Sequence, residues 1–348
     1  MWKLQHRTYR LPFRQTVRTA HGPWAAREGV LIRAEREKEG RVEVGWGEAA
    51  PITWFGGEAP EEASAALGAL EGRAADLADA LVRTPTDRPA TRAGLAAALA
   101  EPGAPAATPS VKFLPVAGLL PAGRAALAAV DSRLELGFRT FKWKVGVFDA
   151  ADELAVLDDL LGRLPEGAKV RLDANGAWDR RTAERWLERA AERPIEYVEQ
   201  PIAADARGAE DLLLGLAADY PVKLALDESV NVAREVERWL AVGWSGVWVL
   251  KPALLGEPSP VLERLARAGA DVVFGSALET VAGARAALRL AFAWAEERGG
   301  EAAARRALGF GVWPLFSSAA ADAPLAGAFV RREEVERMTP EALWNELG

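Results

Sequence analysis

The fold is decided by the stretch FRTFKWKVGV at residues 138–147, in which apolar and charged side chains alternate. Because successive side chains of a β-strand point to opposite faces, the aromatic residues Phe141 and Trp143 share one face. The other face carries Lys142 and Lys144. Two lysines on one strand face usually lie at a solvated edge, but inside a closed barrel they point inward and need anions close by. The sequence on either side decides between these two environments.

Similar strand-like runs recur along the chain from residue 111 onward, and helical stretches separate them. Repeated strand–helix units predict parallel strands that are covered by helices. At least seven such units in about 200 residues favour a (β/α) barrel over an open sheet. The apolar runs are FLPVAGLL, FRTFKWKVGV, AKVRLDAN, IEYVEQP, VKLALDES, GVWVLKP and DVVFGSA, and the helical stretches include Gly123–Leu136, Ala150–Leu164 and Arg181–Glu192.

The N-terminal part of the chain has a different pattern, because strand-like runs come first and Ala-rich helical stretches follow them. This order predicts an α+β unit. The Pro-, Ala- and Gly-rich segment EPGAPAATPS at 101–110 is typical of a linker. We therefore predict a first domain over 1–105, a barrel over 111–310, and a C-terminal segment over 311–348 that folds back on either of them. The N-terminal strand-like runs are Lys3–Arg10, Glu28–Glu37 and Arg41–Glu48, and the helical stretches are Pro60–Leu70, Ala74–Val82 and Thr91–Ala100.

The composition excludes several kinds of chemistry. The 348 residues include no cysteine, which excludes disulfides, thiolate nucleophiles and Cys-ligated metals. The two histidines, His6 and His21, both lie near the N-terminus, which disfavours a His-based triad or a His-rich metal site. A formal charge of −7 with both signs interspersed disfavours binding to nucleic acid or to an anionic membrane. No apolar run is long enough for a membrane span or an export signal, so we expect a cytoplasmic protein.

Polar residues recur at matching places in the barrel repeat. Asp173, Glu199 and Asp227 end successive apolar runs, and Lys251 ends the next one. Counted from Lys144, the intervals are 29, 26, 28 and 24 residues, about one strand–helix unit each. Each side chain should therefore lie at the C-terminal end of its strand, the face on which barrel active sites are built. A single aspartate there is usually a helix N-cap, but three carboxylates on adjacent strands need a counter-charge, and Mg²⁺ prefers such oxygen ligands.

Lysines on two sides of a magnesium site indicate carbanion chemistry. Mg²⁺ holds a substrate carboxylate and offsets the charge of the enediolate that forms when an α-proton leaves. Neutral Lys144 is the candidate base, and the positive charges of Mg²⁺ and Lys142 favour its neutral form. Lys251 is the candidate residue on the other side of the metal.

These residues form a motif set by which the chain is identified as a member of the enolase superfamily, in its muconate-lactonizing-type subgroup. The resemblance covers the whole chain and implies an α/β fold with an N-terminal α+β capping domain, a modified (β/α)7β TIM-type barrel and a tail that returns to the cap. Within the subgroup the chain most resembles the o-succinylbenzoate synthases, through the stretches GWGEAAPITWFGGE (45–58), RLDANGAW (171–178), VLKPALLG (249–256) and FGSALET (274–280). The superfamily motifs are Lys142-Trp143-Lys144, Asp173-Ala174-Asn175, Glu199-Gln200-Pro201, Asp227-Glu228-Ser229 and Lys251-Pro252.

The resemblance implies a Mg²⁺-dependent lyase, with Mn²⁺ able to substitute for Mg²⁺. The expected reaction is dehydration of 2-succinyl-6-hydroxy-2,4-cyclohexadiene-1-carboxylate to 2-succinylbenzoate, a step towards menaquinone or phylloquinone. Lys144 is then expected to act first as base and next as acid, while Lys251 stabilises the enediolate and Lys142 tunes Lys144. The implied metal ligands are Asp173, Glu199 and Asp227.

Four further residues are expected near the metal and the substrate. Asn175 and Glu228 are candidates for supporting the metal ligands by hydrogen bonds. Arg171 shares strand parity with the metal aspartate and should point inward, either to support the carboxylates or to fill a layer of the barrel. Ser276 resembles the position at which the family binds a substrate carboxylate, although an ordinary helix N-cap is the alternative.

Two loops of the cap are expected to close over the substrate, at about Thr19–Arg27 and Thr53–Glu58. Their Gly and aromatic residues suit a mobile lid that excludes water. His21 and Trp54 are the candidate substrate contacts in these loops. For His21, an ordinary loop histidine with no function is the alternative.

Other activities remain open from the sequence. N-succinylamino acid racemases and dipeptide epimerases share the lysines and metal ligands, and in them Lys144 and Lys251 would act as an acid/base pair on opposite faces. No Asp-x-Asp pattern follows the last strands, which disfavours a dipeptide epimerase. A non-catalytic barrel is disfavoured because buried charges are costly without a metal and a substrate. The expected partner is a small-molecule carboxylate.

Overall fold

The computed structural model describes residues 2–71, 77–100, 109–298, 306–325 and 327–348. Most of the linker predicted at 101–110 therefore lies outside the described residues. The strands are β1 Trp2–Thr19, β2 Gly22–Lys38, β3 Arg41–Ala49, β4 Phe113–Pro115, β5 Gly118–Leu120, β6 Thr140–Lys144, β7 Lys169–Asp173, β8 Ile195–Glu199, β9 Leu224–Leu226, β10 Val247–Leu250, β11 Asp271–Phe274 and β12 Phe329–Arg331. The α-helices are α1 Pro60–Gly68, α2 Leu77–Arg83, α3 Pro89–Ala100, α4 Ala125–Glu135, α5 Ala150–Leu161, α6 Arg180–Ala190, α7 Ala209–Asp219, α8 Ala233–Ala241, α9 Pro258–Arg267, α10 Val281–Glu297, α11 Arg332–Arg337 and α12 Glu341–Glu346.

A curled parallel sheet forms the centre of the molecule. Strands β5 to β11 lie side by side in chain order, and a helix follows each of them. The short segment around 308–309 closes the curl, because Leu308 bridges in parallel to Val116 beside the first strand and Gly309 bridges in parallel to Gly275 beside the last. The α/β barrel class predicted from the repeat is confirmed.

The two faces of β6 have the environments that strand alternation predicts. Phe141 and Trp143 are fully buried on the outer face, and the ring of Trp143 meets that of Trp186 on α6 with centroids 6.3 Å apart. Removing about 200 Å² of one tryptophan from water stabilises the fold by about 5 kcal/mol. The opposite face points into the barrel, so Lys142 and Lys144 face its interior.

An antiparallel sheet of order β1-β2-β3 forms the N-terminal part, with α3 packed on β3. The helix lies so close to this strand that an added Cβ at Gly45 would be 1.9 Å from the carbonyl oxygen of Ala98. At Gly47 a Cβ would be 1.9 Å from the carbonyl oxygen of Gly94. The two glycines of the GWGE stretch therefore allow this helix to contact the strand.

The first two strands are longer than predicted. The run expected at Lys3–Arg10 extends to Thr19, and the run expected at Glu28–Glu37 begins at Gly22. The loop predicted at Thr19–Arg27 is therefore a two-residue hairpin turn followed by the first residues of β2. The sequence did not predict this extension because it contains Pro12, and proline argues against a strand unless the strand lies at a sheet edge. Strand β1 is such an edge, and the pairing with β2 shifts register between Pro12 and Val17.

The C-terminal tail contacts both the sheet β1-β2-β3 and the barrel. Phe316 bridges to Phe13 of β1, and the ring of Trp344 lies 5.6 Å from that of Trp46 on β3. Strand β12 pairs with β4 just before the barrel begins. The exact domain bounds stay a prediction. None of the helices in the described ranges has the length and apolar character needed to cross a membrane.

Candidate active site

The polar residues singled out by their spacing lie together at the C-terminal ends of the barrel strands. Lys144, Asp173 and Glu199 are the last residues of β6, β7 and β8, and the pairing places them side by side. Asp227 and Lys251 directly follow β9 and β10. Since the strands are parallel, all five meet at one face of the barrel.

Two of the lysines pair with the carboxylates at this face. The Nζ atom of Lys142 lies 2.9 Å from Oδ2 of Asp173 and 2.7 Å from Oε1 of Glu199. Lys251 donates to Oδ1 of Asp227, and its Nζ also lies 3.5 Å from Oδ1 of Asn231. The acidic group therefore lies between a cation that reaches it from β6 and another that follows β10.

The third lysine makes a different contact. Nζ of Lys144 lies 3.4 Å from the backbone carbonyl oxygen of Arg18, near the tip of the β1–β2 hairpin. This contact brings the N-terminal sheet over the barrel mouth. It also leaves the amine of Lys144 away from the carboxylates that hold Lys142.

The electrostatics of these groups follow from burial and from their neighbours. Burial lowers the pKa of Lys142, but the carboxylates of Asp173 and Glu199 outweigh this effect and raise the pKa above its usual value. Burial raises the pKa of the Glu199 carboxyl, and the positive charge of Lys142 opposes that rise. Burial lowers the pKa of Lys251 to about 8. Lys142 is therefore held in its charged form, whereas the pKa of Lys251 lies close to neutral pH.

The donor set fits a divalent cation with oxygen ligands. Asp173, Glu199 and Asp227 supply only carboxylate oxygens, which Mg²⁺ prefers. Oε2 of Glu199 and Oε2 of Glu228 are buried, and within the described ranges neither has a hydrogen-bond partner. Such orphaned oxygens are costly unless a cation or a donor reaches them. In the same ranges no three His, Asp or Glu side chains converge as a formed metal cluster, and lysines contact three of these carboxylates.

Neighbouring polar side chains hold the loops that carry the carboxylates. Nδ2 of Asn175 donates to Oε1 of Glu228 at 3.0 Å, and the backbone N–H of Asn175 donates to Oδ1 of Asp173 at 3.1 Å. Oε1 of Gln200 accepts the backbone N–H groups of Asp227 at 3.0 Å and of Ser229 at 3.2 Å. Sequence reasoning gave Gln200 no role, although it directly follows Glu199 in the Glu-Gln-Pro motif.

Arg171 points into the barrel, as its strand parity predicts. Its Nε donates to Oε2 of Glu196 at 2.6 Å, and its guanidinium lies 4.9 Å from the ring centroid of Tyr197. Arg306 also contacts Glu196, at 2.8 Å. This geometry places Arg171 in an interior layer on the N-terminal side of the carboxylates.

Aromatic residues of the N-terminal part cover the mouth of the barrel. The ring of Phe55 lies 5.2 Å from Nζ of Lys251, a contact that sequence reasoning missed. Trp54 lies 5.5 Å from the ring of His21 and 4.9 Å from that of Trp24. Both predicted lid segments therefore meet above the lysines, and His21 and Trp54 are in contact with each other.

Ser276 lies in the loop after β11, where a buried carboxylate engages it. Its Oγ donates to Oε2 of Glu279 at 3.1 Å, and the backbone N–H of Ala277 donates to the same oxygen. From the N-terminal sheet, Glu48 accepts the backbone N–H of Thr280 at 3.0 Å and that of Gly283 at 2.8 Å. The donors expected for a substrate carboxylate are therefore next to a contact between the sheet and the barrel.

Comparisons with known proteins identify relatives of this chain. The family model described as Enolase C-terminal domain-like matches residues 124–312. The chain is 40% identical over 314 residues to the o-succinylbenzoate synthase of Thermosynechococcus vestitus, covering 88% of this chain and 92% of that protein. A crystal structure of o-succinylbenzoate synthase from Thermosynechococcus elongatus, with Mg in its active site, superposes with a TM-score of 0.81 at 37% identity and covers 99% of each chain. The L-Ala-D/L-Glu epimerase from Bacillus subtilis shares the fold, with a TM-score of 0.75 at 22% identity over 94% of this chain and 95% of that one.

Proposed function

Because the chain belongs to the enolase superfamily, we propose that it is an o-succinylbenzoate synthase. It removes water from 2-succinyl-6-hydroxy-2,4-cyclohexadiene-1-carboxylate to give 2-succinylbenzoate, a step of menaquinone or phylloquinone synthesis. The observation that carries this proposal is the 40% identity to an o-succinylbenzoate synthase over 88% of the chain. The complete set of Lys144, Asp173, Glu199, Asp227 and Lys251 at one mouth of the barrel supports the chemistry. Buried charges of this number are costly unless the reaction uses them.

Asp173, Glu199 and Asp227 hold the metal in this proposal. Their oxygen donors suit Mg²⁺, and Mn²⁺ has similar preferences and is expected to substitute for it. When bound, the ion supplies positive charge that holds the substrate carboxylate and offsets the charge of the enediolate. The hydrogen bond that Gln200 accepts from the Asp227 loop and the one that Asn175 donates to Glu228 keep the carboxylates in place.

Lys144 is the acid/base residue of the proposed reaction. Its neutral amine takes the proton α to the ring carboxylate, and the C–H electron pair moves into the enediolate. As the C–O bond of the ring hydroxyl breaks, the resulting ammonium returns its proton to that oxygen, so that water leaves. Lys142, two residues away on the same strand face, is held in its charged form by Asp173 and Glu199 and places a positive charge beside the proposed base.

Lys251 stabilises the negative charge from the other side of the site. The strands that carry the three carboxylates, β7 to β9, separate β6 from β10, so the two lysines approach a substrate from different directions. Burial lowers the pKa of Lys251 to about 8, which leaves its ammonium form predominant at pH 7. A buried ammonium interacts strongly with a developing enediolate, because little water screens it.

The covering segments exclude water and select the substrate. His21 and Trp54 form part of an aromatic roof that suits the apolar ring and chain of the substrate. Ser276 is the candidate donor to a substrate carboxylate, for which its hydroxyl would turn away from Glu279. These assignments predict that substitutions at Trp54 or Ser276 raise KM more than they lower kcat.

The proposal is tested by incubating the purified protein with the cyclohexadiene substrate and Mg²⁺ and measuring 2-succinylbenzoate. We expect the wild-type protein to turn the substrate over and Lys144→Ala to be inactive. After chelation, the wild-type protein should lose its activity and regain it only when a divalent metal is added. No product with the intact protein, or full activity in Lys144→Ala, would contradict the proposal.

A second activity, racemisation of N-succinylamino acids, is favoured by the presence of a lysine on each side of the site. Lys251→Arg separates the two reactions. Arginine keeps the positive charge but cannot act as a base, so a racemase loses all turnover while the dehydration keeps a measurable part of it. The same variant is therefore assayed with the cyclohexadiene and with a panel of N-succinylamino acids.

A further inference from the structure

Glu153, on the first turn of α5, is buried and binds the loop that follows β6. Its Oε2 accepts the backbone N–H of Gly146 at 2.7 Å. Its Oε1 accepts the N–H groups of Val147 and Phe148, both at 3.1 Å. Three consecutive backbone donors thus surround one carboxylate that is only 1% exposed.

This arrangement is too costly to be incidental. Burying a carboxylate is strongly unfavourable unless charge-assisted hydrogen bonds replace its water. Consecutive N–H groups that point to one place form a concave anion site, and here a side chain of the protein itself occupies it. The loop conformation and the Glu153 carboxylate therefore stabilise each other.

The loop is also held from its other side. Gly146 has a φ of 76°, and an added Cβ there would lie 2.9 Å from Cβ of Ala177 and 3.0 Å from Nε1 of Trp178. The backbone N–H of Val145 donates to the carbonyl oxygen of Asp173 at 2.9 Å. The segment is thus fixed between α5 and the loop after β7, which carries a proposed metal ligand.

Lys144 depends on this backbone more than the other lysines of the site do. Lys142 and Lys251 are held by ion pairs with carboxylates. The amine of Lys144 has a 3.4 Å contact with the carbonyl oxygen of Arg18, and its side chain is partly exposed. The direction of a long, weakly held side chain is set mainly by its own backbone. The backbone of Lys144 leads directly into the loop at 146–148, which begins two residues later.

We propose that Glu153 is a positioning residue for proton transfer: by holding residues 146–148 it directs the Lys144 amine at the substrate α-carbon. This inference rests on the proposed function, in which Lys144 is the base. It predicts that weakening the Glu153 contacts slows the chemical step while the metal site and substrate binding stay intact.

The test replaces Glu153 by glutamine. The glutamine amide keeps one acceptor oxygen, but its NH₂ group must face at least one backbone N–H. Two donors then face each other, and that hydrogen bond is lost. We expect kcat to fall about 10- to 100-fold, since displacement of a reacting group by about 1 Å has this effect. KM and the Mg²⁺ affinity should stay within about twofold of the wild-type values, because Glu153→Gln changes no proposed metal or substrate contact. Hydrogen exchange of the amides of 146–148 should become faster.

Control variants separate this inference from its alternatives. Glu296→Gln is a control for the loss of a carboxylate that binds backbone away from the barrel mouth. Glu296 accepts the N–H of Val111 at 2.8 Å and also pairs with Arg332 at 2.9 Å, and the variant should leave kcat unchanged. Glu153→Asp keeps the charge and is expected to retain more kcat than Glu153→Gln, and it replaces that variant if glutamine prevents folding. Full activity in Lys144→Ala would refute the proposed function itself.

Provided that Lys144→Ala abolishes turnover, either of two results overturns the positioning role of Glu153. One is wild-type kcat in Glu153→Gln despite faster amide exchange at 146–148. The other is an equal loss of kcat, substrate binding and Mg²⁺ affinity, which would indicate general unfolding of the site. A selective loss of kcat supports the inference.

Discussion

Replacing Glu279 by glutamine is expected to stabilise the protein above pH 7 and to change its stability much less at pH 5. The side chain is 1% exposed, and burial, followed by the charge of the nearby Glu48, raises its pKa from 4.5 to about 7. Oε2 accepts the Ser276 hydroxyl and the Ala277 N–H, whereas Oε1 is buried and has no hydrogen-bond partner among the residues of the described ranges. As the pH rises, the Glu279 carboxyl group therefore ionises while only one of its two oxygens has hydrogen-bond donors.

The magnitude follows from the two pKa values. In the unfolded chain the carboxyl ionises near its usual value, so between pH 4.5 and about 7 the folded state binds more protons than the unfolded state. Stability must therefore fall as the pH rises through this range. At 1.36 kcal/mol per pH unit the loss is about 3 kcal/mol when ionisation is complete, and about 2.5 kcal/mol of it falls between pH 5 and pH 8. For 348 residues, with an unfolding entropy of about 2 cal/mol/K per residue, the loss of about 2.5 kcal/mol equals about 3.5 °C in Tm.

The assay is calorimetric unfolding of the wild type and Glu279→Gln at pH 5, 6, 7 and 8. Glutamine offers one oxygen to Ser276 and Ala277, and its uncharged NH₂ replaces the orphaned oxygen, so any fixed packing cost is the same at every pH. The Tm of the variant minus that of the wild type should therefore rise by about 3.5 °C from pH 5 to pH 8. Glu263→Gln, an exposed position on α9, is the control and should give a constant difference. A constant difference for Glu279→Gln as well would refute the reasoning.

Three other outcomes are expected. Asp173→Asn should weaken Mg²⁺ binding at least about tenfold in calorimetric titrations, and an unchanged affinity would remove this residue from the metal site. Replacing His6 and His21 together should leave the proton-transfer step in place, because neither is proposed as the base; loss of α-proton exchange in D₂O would count against Lys144. Gly283→Ala should lower Tm, since its Cβ would lie 2.7 Å from Cβ of Glu279, an overpacking worth about 1–3 kcal/mol. Gly215→Ala, where a Cβ meets no atom of the described residues within 4 Å, should instead raise Tm slightly.

The barrel and its charged residues could be predicted because the sequence pattern that encodes them is short and recurs in each strand–helix unit. Lys144, Asp173 and Glu199 each follow an apolar run by a fixed rule, and parallel strands bring the ends of such runs to one face. Spacing alone therefore predicts that these side chains are neighbours, and the register of β6, β7 and β8 places them side by side. The same parity argument correctly directs Arg171 inward but does not identify Glu196 as its partner.

The contacts between the N-terminal sheet and the barrel could not be predicted in this way. Glu48 and Thr280 are 232 residues apart, and no periodicity connects them. The contact of Phe55 with Lys251 and that of the Arg18 carbonyl with Lys144 depend on how the N-terminal sheet packs on the barrel. For the hairpin, local reasoning even favoured a loop, because the position of β1 at the sheet edge is known only once the sheet is assembled.

These long-range contacts make the substrate side of the barrel dependent on the N-terminal sheet. Leu278 has a φ of 57°, and a left-handed conformation costs a residue with a Cβ about 1–2 kcal/mol. The loop keeps this conformation while Arg27 donates to the Leu278 carbonyl at 3.2 Å and Glu48 holds the next turn at Thr280. Ser276 lies in the same loop, so its hydroxyl is placed by residues of a different sheet. Substitutions at Arg27 should therefore raise KM through Ser276 before they alter proton transfer.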